Sequence, residues 1–212
     1  MDPSRITAIP LAAPEFLEQK PEHSVAGFLS RKNLPNQYIL SVGTREPRKN
    51  LVNLVRAFSR VETGIHLVHA GWGGWMNEEL EAELARSPVK NRILFLDHVP
   101  DDDLAHLYSG ALAMVFPSHY EGFGLPIPEA MQCGCPVICS DTTSMTEIAS
   151  GYARMIDPVD VGGIAAAITD IVEDSALRAE LIQKGLAKAR DYSWEETASR
   201  TVDVFKEVLA GR

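Results

Sequence analysis

A chain of 212 residues, 45% hydrophobic and 23% charged, has room for one good-sized core and the composition of an ordinary globular protein. Its formal net charge of −9 excludes a nucleic-acid partner, which needs Lys and Arg in excess on one face, and disfavours lying flat on an anionic membrane. No apolar run approaches the roughly 20 residues of a bilayer span, and Met1 to Lys20 lacks a basic start followed by an apolar stretch, so a cytoplasmic protein is expected.

Residues 1–35 read as a connector. Asp2 to Pro14 is proline-rich and too short for a domain, with Ile6 to Leu11 suited to one edge strand. Glu15 to Pro35 looks irregular apart from a helical turn around Val25 to Arg31. Tyr38 to Val42 is the first clear strand, after which Leu51, Leu54, Val55 and Phe58 recur with a helical period. The loop between them, Gly43 to Asn50, carries Arg45, Arg48 and Lys49. Basic side chains where a strand hands over to a helix are well placed for a diphosphate, although isolated Arg and Lys are more often solvated surface charge.

His66 to Ala70 forms the second strand and ends in Gly71-Trp-Gly-Gly-Trp75. There Gly73 and Gly74 either approach a ligand or simply make a turn. His66 and His69 lie three apart, so on a strand they point to opposite faces and cannot share a metal. A polar helix from about Asn77 to Ala85 precedes a third strand, Ile93 to Leu96. Asp101-Asp-Asp103 then opens a helix, where capping explains the carboxylates better than a metal clamp does.

The chemistry is concentrated between Phe116 and Asp141. Ala111 to Phe116 and Pro136 to Cys139 suit strands buried in a parallel sheet. Ile127 to Gln132 suits a helix between them, because Pro126 and Pro128 lack donors that only a first turn can spare, and Cys133-Gly134 supplies a stop. Gly122 and Gly124 let backbone N–H groups approach a ligand, and the helix start adds about half a positive charge, a combination that favours phosphate. Glu121 and Glu129 bracket the same loop with seven residues between them. A carboxylate does not usefully bind phosphate but accepts well from hydroxyls, so the set describes a site for a nucleotide sugar. His119, two residues before Glu121, lies either near the donor sugar or as a packed or solvated loop histidine. A glycosidase would also pair carboxylates, about 5 to 5.5 Å apart in retaining enzymes, yet hydrolysis has no use for the phosphate-binding features.

Cys133, Cys135 and Cys139 fall on a helix end, a turn and a strand, with no second Cys or His pair at zinc spacing, and are read as reduced buried thiols. Arg154 to Ile156 is a last short strand, followed by helices from Val161 to Asp174 and from Ala176 to Arg190. Ser193 with Glu196 three later reads as a capping box opening a final helix to about Leu209, with Ala198, Val202, Phe205 and Leu209 on one stripe.

Glu121-Gly-Phe-Gly-Leu-Pro-Ile-Pro-Glu129 resembles the E-x7-E signature of retaining glycosyltransferases with the GT-B fold, most closely family 4. Pro117-Ser118, Glu129-Ala-Met, Cys133-Gly134, Pro136-Val137 and the run Val42 to Asn50 fit the same pattern, so the resemblance extends from about Tyr38 to the C-terminus. It implies an α/β architecture, a Rossmann-like parallel sheet with helices on both faces over 36–192, as in the C-terminal half of GT-B. The connector 1–35 would then leave a missing N-terminal acceptor domain, and 193–212 would form a helix that crosses back to it.

The resemblance also assigns roles. Glu129 would hold the ribose hydroxyls, Glu121 the sugar hydroxyls near the reacting carbon, and the backbone at Val99 the nucleobase. The family commonly starts its first loop with Gly-Arg where this chain has Gly43-Thr44, so Arg48 with Lys49 is favoured for the diphosphate. Glu121, Lys49 and Arg48 form the candidate catalytic set. Gly43, Arg45, Val99, His119, Gly122, Phe123, Gly124, Leu125 and Glu129 form the candidate donor-binding set, with no metal and no cofactor. The implied reaction transfers a hexose, with retention, from a GDP- or UDP-linked donor to a saccharide or lipid-linked acceptor. Mannose is the best guess, because Thr44 to Asn50 resembles bacterial mannosyltransferases of surface polysaccharide assembly. The rival expectation is a nucleotide-sugar-binding module that transfers nothing alone, any membrane contact being made through the missing domain.

Overall fold

In the computed structural model, which describes residues 5–211, the alternating strand and helix signals fold into one parallel sheet. Residues 1–4 of the expected connector and Arg212 at the end of the expected crossover segment lie outside the described residues. The strands are β1 (Tyr38–Val42), β2 (His66–Ala70), β3 (Ile93–Leu96), β4 (Ala113–Phe116), β5 (Val137–Ser140) and β6 (Arg154–Ile156). They stand in the order β3-β2-β1-β4-β5-β6, every neighbouring pair parallel, with Leu40 of β1 facing Val68 on one side and Met114 on the other. This is a doubly wound sheet, and its direction of winding reverses between β1 and β4.

Nine α-helices occur among the described residues: α1 (Glu22–Arg31), α2 (Leu51–Phe58), α3 (Glu78–Arg86), α4 (Asp101–Gly110), α5 (Pro126–Gln132), α6 (Thr143–Ala149), α7 (Val161–Glu173), α8 (Ser175–Ala189) and α9 (Trp194–Leu209). Because side chains alternate across a strand, β1 sends Tyr38 and Leu40 into one core and Ile39 into the other. The first core packs Phe28 of α1, Tyr108 of α4, Ile127 and Met131 of α5 and Met145 of α6. The second packs Leu54 and Phe58 of α2 against Ile164 and Ile168 of α7. Both faces are apolar, as expected for parallel strands.

Three expectations fail here for identifiable reasons. Ile6 to Leu11 forms no strand; the Ala8 carbonyl accepts from Arg200 and the Pro10 carbonyl from Thr197, both on α9. The irregular stretch after it contains the ten-residue α1, which buries Val25, Phe28 and Leu29 against the sheet domain. Asp101, Asp102 and Asp103 do not cap α4: Pro100 holds that position, and Asp103 pairs with Lys32 at 2.7 Å. Ser193 does cap α9, accepting from the Glu196 amide at 3.1 Å. Along that helix Val202, Phe205 and Leu209 lie exposed. The three cysteines are buried free thiols, and burial first of all pushes Cys133 and Cys139 up to about 12, well away from a reactive thiolate. No helix of the described residues is long and apolar enough to cross a membrane.

Candidate active site

The loops leaving β1 and β4 meet at the point where the winding reverses, which is where open α/β sheets bind ligands. Pro47–Lys49 makes one 3-10 turn that ends at Asn50, whose φ of 59° places it in the left-handed region. Asn side chains tolerate that conformation, and here the amide earns its place by donating to the carbonyls of Pro117 at 3.0 Å and Pro158 at 2.7 Å. The β1 loop is thereby tied to the β4 loop. His119 adds a second tie, its backbone N–H donating to the Arg48 carbonyl at 2.8 Å.

These ties bring Arg48 and Lys49 onto Glu121. Lys49 Nζ lies 2.7 Å from Glu121 Oε1, and Arg48 Nη1 lies 2.6 Å from Oε2. Arg48 also reaches Glu46 at 2.7 Å, while Lys49 sits over the Phe116 ring at 4.7 Å. A Cβ on Gly43 would stand 3.1 Å from the Lys49 stem, so the glycine makes room for that lysine. Burial alone would raise the Glu121 carboxyl, but Lys49 first, then the Ser118 hydroxyl and Arg48, outweigh it and hold the group below its ordinary 4.5. Glu121 is therefore ionised at neutral pH and clasped by two cations.

Around it, the amides of Gly122, Phe123, Gly124 and Leu125 have no acceptor among the described residues, while Gly124 takes φ 95° as a side chain rarely would. Ser144, which sequence reasoning missed, fixes this loop: its Oγ lies 2.9 Å from the carbonyl oxygens of both Glu121 and Phe123. One hydroxyl proton serves both positions. Ser144→Ala is expected to cost about 1 kcal/mol and to speed amide exchange over 121–125 in particular. Exchange rates unchanged there would remove Ser144 from the account.

Glu129 sits lower, in the first turn of α5, where Tyr108 donates to its Oε2 at 2.9 Å. Burial pushes the Glu129 carboxyl above its ordinary 4.5; the Tyr108 bond and the nearby Lys49 charge oppose that rise, and Asp101 reinforces it. The two glutamates thus lean opposite ways, one held ionised and one driven toward neutrality, with Lys49 acting on both.

A cleft of about 270 Å³ continues along the ends of β1, β2 and β3, lined by Gly43, Gly71, Trp72, Asp97, His98 and Val99 among others. The loops after β1 and β2 touch at its edge: a Cβ on Gly71 would fall 2.0 Å from the Gly43 carbonyl oxygen. Trp72 stacks on His98 with ring centroids 5.1 Å apart. Arg45 is placed differently from Arg48 and Lys49, for it bonds Asp97 at 2.6 Å and lies over the Phe95 ring. His119 is exposed beside Arg48. His69 is buried with Nδ1 3.3 Å from Ser41 Oγ, and burial, then the Arg45 charge, lowers it to about 4, so it is neutral. Tyr108, Asp97 and Ser144 carry no motif, and only the fold exposes their roles. Among the described residues no group of three or more His, Cys, Asp or Glu is arranged to hold a metal ion.

A doubly wound sheet with this loop pair at its reversal point defines an α/β ligand-binding domain, and the chain belongs to the family of glycosyl transferases group 1, which it matches over residues 27–188. More particularly, it is 40% identical over 173 residues to O-antigen chain mannosyltransferase B of Escherichia coli, covering 80% of this chain and 45% of that protein. To the MMP alpha-(1->4)-mannosyltransferase of Mycolicibacterium hassiacum it is 27% identical over 218 residues, covering 99% and 50%. Among solved structures, sucrose-phosphate synthase from Thermosynechococcus elongatus superposes with a TM-score of 0.84 at 26% identity, over 96% of this chain and 53% of that one. The C-terminal domain of a group 1 glycosyl transferase, LpcC of Francisella tularensis, superposes with a TM-score of 0.74 at 21% identity, over 85% and 97%. The fold is that of the C-terminal half of GT-B glycosyltransferases, and the chain spans about half the length of these curated relatives.

Proposed function

We propose that this chain is the donor-binding half of a retaining hexosyltransferase that uses a nucleoside-diphosphate sugar, with mannose the favoured sugar. The observation that carries the reading is the two-point clasp of Glu121 by Lys49 and Arg48 beside four unpaired loop amides. Departure of a nucleoside diphosphate concentrates negative charge on its phosphates, and preorganised cations and amides aimed at that charge lower the barrier without reorganising. In the structure both cations are spent on carboxylates. Donor binding exchanges these partners: the diphosphate takes the cations, and Glu121 turns its oxygens to the hexose hydroxyls. Glu129 accepts from the ribose hydroxyls, the cleft at Val99 receives the base, and Gly43 lets the phosphates approach. Attack on the face the diphosphate leaves, with a phosphate oxygen taking the acceptor proton, gives retention with no covalent enzyme intermediate.

The mannose preference draws on the mannosyltransferase relatives. The half-length match favours a division in which the acceptor is positioned chiefly by a domain this chain does not cover, joined through connector 1–35 and met by the helix at 193–212. Positioning supplies roughly 7 to 11 kcal/mol of such a barrier, so the chain alone is expected to bind donor and transfer little. Calorimetry with GDP, UDP, their mannose and glucose conjugates and the parent nucleosides tests this beside a transfer assay. The diphosphates are expected to bind about a hundredfold more tightly than the nucleosides. Equal affinity for nucleoside and diphosphate would sink the phosphate assignment, and rapid turnover by this chain alone would sink the division of labour.

A further inference from the structure

Arg48 and His119 line a second cavity, of about 390 Å³, whose other walls come from the starts of α2 and α3. Lys49, Glu121 and Glu129 take no part in it. The volume lies within the range of small-ligand sites. Its charged walls cancel in pairs, Glu46 with Arg48 at 2.7 Å and Glu79 with Arg56 at 3.1 Å, and Arg56 is held again by Glu83 at 2.7 Å. A cavity whose cations are already neutralised does not select an anion, and its carboxylates, each paired, do not select a cation.

What remains is a surface of neutral hydrogen-bonding groups and small apolar patches. Asn77 presents an amide that both donates and accepts, while that of Asn53, which already donates to the Pro158 carbonyl at 3.3 Å and accepts from Arg56 at 3.2 Å, keeps one N–H and one lone pair to offer. Asn77 occupies the N-cap of α3, yet its side chain makes no cap hydrogen bond, which leaves the amide available to a ligand. Val52 and Met76 supply apolar contact. Met76 is held at φ 55°, a backbone conformation unfavourable for a non-glycine residue, and is 70% exposed. Among the described residues neither hydrophobic burial nor a hydrogen bond of its own offsets that placement.

A polyhydroxylated ring matches these walls, its hydroxyls pairing with amides and ion-paired carboxylates and its C–H face lying on the apolar patches. We propose that this cavity is a saccharide subsite that holds one hexose unit of the acceptor glycan beside the donor. The acceptor role rests on the transferase reading above; the binding site does not, because none of its walls depends on a nucleotide. Arg48 joins the two, contributing one edge to Glu121 and another, with Glu46, to the subsite.

Amide-resolved NMR titration of the 212-residue chain with methyl α-mannoside and with a mannose disaccharide tests the proposal. Shifts are expected over residues 52–56 and 76–79, saturating in the millimolar range, with the disaccharide binding more tightly. Asn77→Trp, which fills the cavity, and Glu79→Ala, a change at an exposed side chain, should each weaken saccharide binding about tenfold while GDP affinity stays within about twofold. No response at tens of millimolar sugar overturns the proposal, as does a response that survives both variants or one that pyrophosphate reproduces. Saccharide binding with no GDP binding would uphold the subsite and overturn the donor reading.

Discussion

Replacing Lys49 with alanine is expected to remove most of the protein's hold on a diphosphate and, separately, a measurable part of its stability. Lys49 and Glu121 are only 11% and 8% exposed at their side chains, so the pair is screened little by solvent. Without the lysine, Glu121 keeps only Arg48, whose side chain is 44% exposed. Stripping one partner from a buried ion pair costs roughly 3 to 5 kcal/mol, and the surviving arginine should hold the loss to about 2 to 3 kcal/mol. The pH dependence has a definite sign. Glu121 is held below its ordinary 4.5, so it contributes stability that is present above that value and disappears as pH falls through the lower folded value. In Lys49→Ala that contribution shrinks and acid unfolding begins at higher pH. Diphosphate affinity should fall about a hundredfold while nucleoside affinity stays nearly constant. Adding Glu121→Gln separates the two losses: the double variant regains stability because no buried charge is left alone, yet does not regain diphosphate binding. Calorimetry and urea melts on the wild type and the two variants decide it, and equal weakening of nucleoside and diphosphate would show that the cleft had merely collapsed.

How far the sequence reveals this arrangement depends on how local each signal is. The strands emerge within two residues of their expected ends because apolar runs bounded by Gly and Pro are read within a window. Helix α1 carried its signal too, for Val25, Phe28 and Leu29 fall at helical spacing, but the surrounding prolines and polar residues obscured it. Ile6 to Leu11 misled in the opposite direction. Its carbonyls are satisfied by two side chains of a helix more than 180 residues later, which no window contains. In the site, the motif placed Glu121 and Glu129 on one loop, whereas the contact from Lys49 to Glu121 spans 72 positions and becomes visible only when β1 and β4 are neighbours. The same holds for Tyr108 beneath Glu129 and Ser144 beneath the glycine loop, single residues on amphipathic helices that resemble any other core tyrosine or surface serine. Arg45 is a further case. Its charge and position in the loop suggested donor binding, and its pairing with Asp97, 52 residues on, is a contact that no local pattern announces.

Glu129→Gln is expected to make the protein more stable at neutral pH and a poorer binder of nucleotides. Burial drives the Glu129 carboxyl above its ordinary 4.5, which means that the folded protein disfavours the ionised form. That cost is absent while the group is protonated in both folded and unfolded states; it grows as pH rises from 4.5 through the folded value and is fully present above it. A glutamine carries no charge to desolvate, and it keeps an oxygen for the Tyr108 hydroxyl that now donates to Oε2. The variant should therefore melt at higher temperature at pH 7 and lose that advantage in acid. Ribose offers hydroxyls that donate, and they bond best to the ionised carboxylate, so nucleotide binding must draw the proton off whatever fraction of Glu129 still carries it. Wild-type affinity should consequently weaken as pH falls toward 4.5, with proton release visible as a dependence of the binding heat on buffer. In Glu129→Gln that dependence vanishes, and affinity for ribose nucleotides drops about tenfold to a hundredfold at neutral pH. A 2′-deoxy nucleotide should already bind wild type more weakly and be less affected by the substitution. A glutamine variant that is less stable at pH 7, or one that binds ribose and deoxyribose nucleotides as the wild type does, would place Glu129 in the packing beneath α5 and leave the ribose without its acceptor.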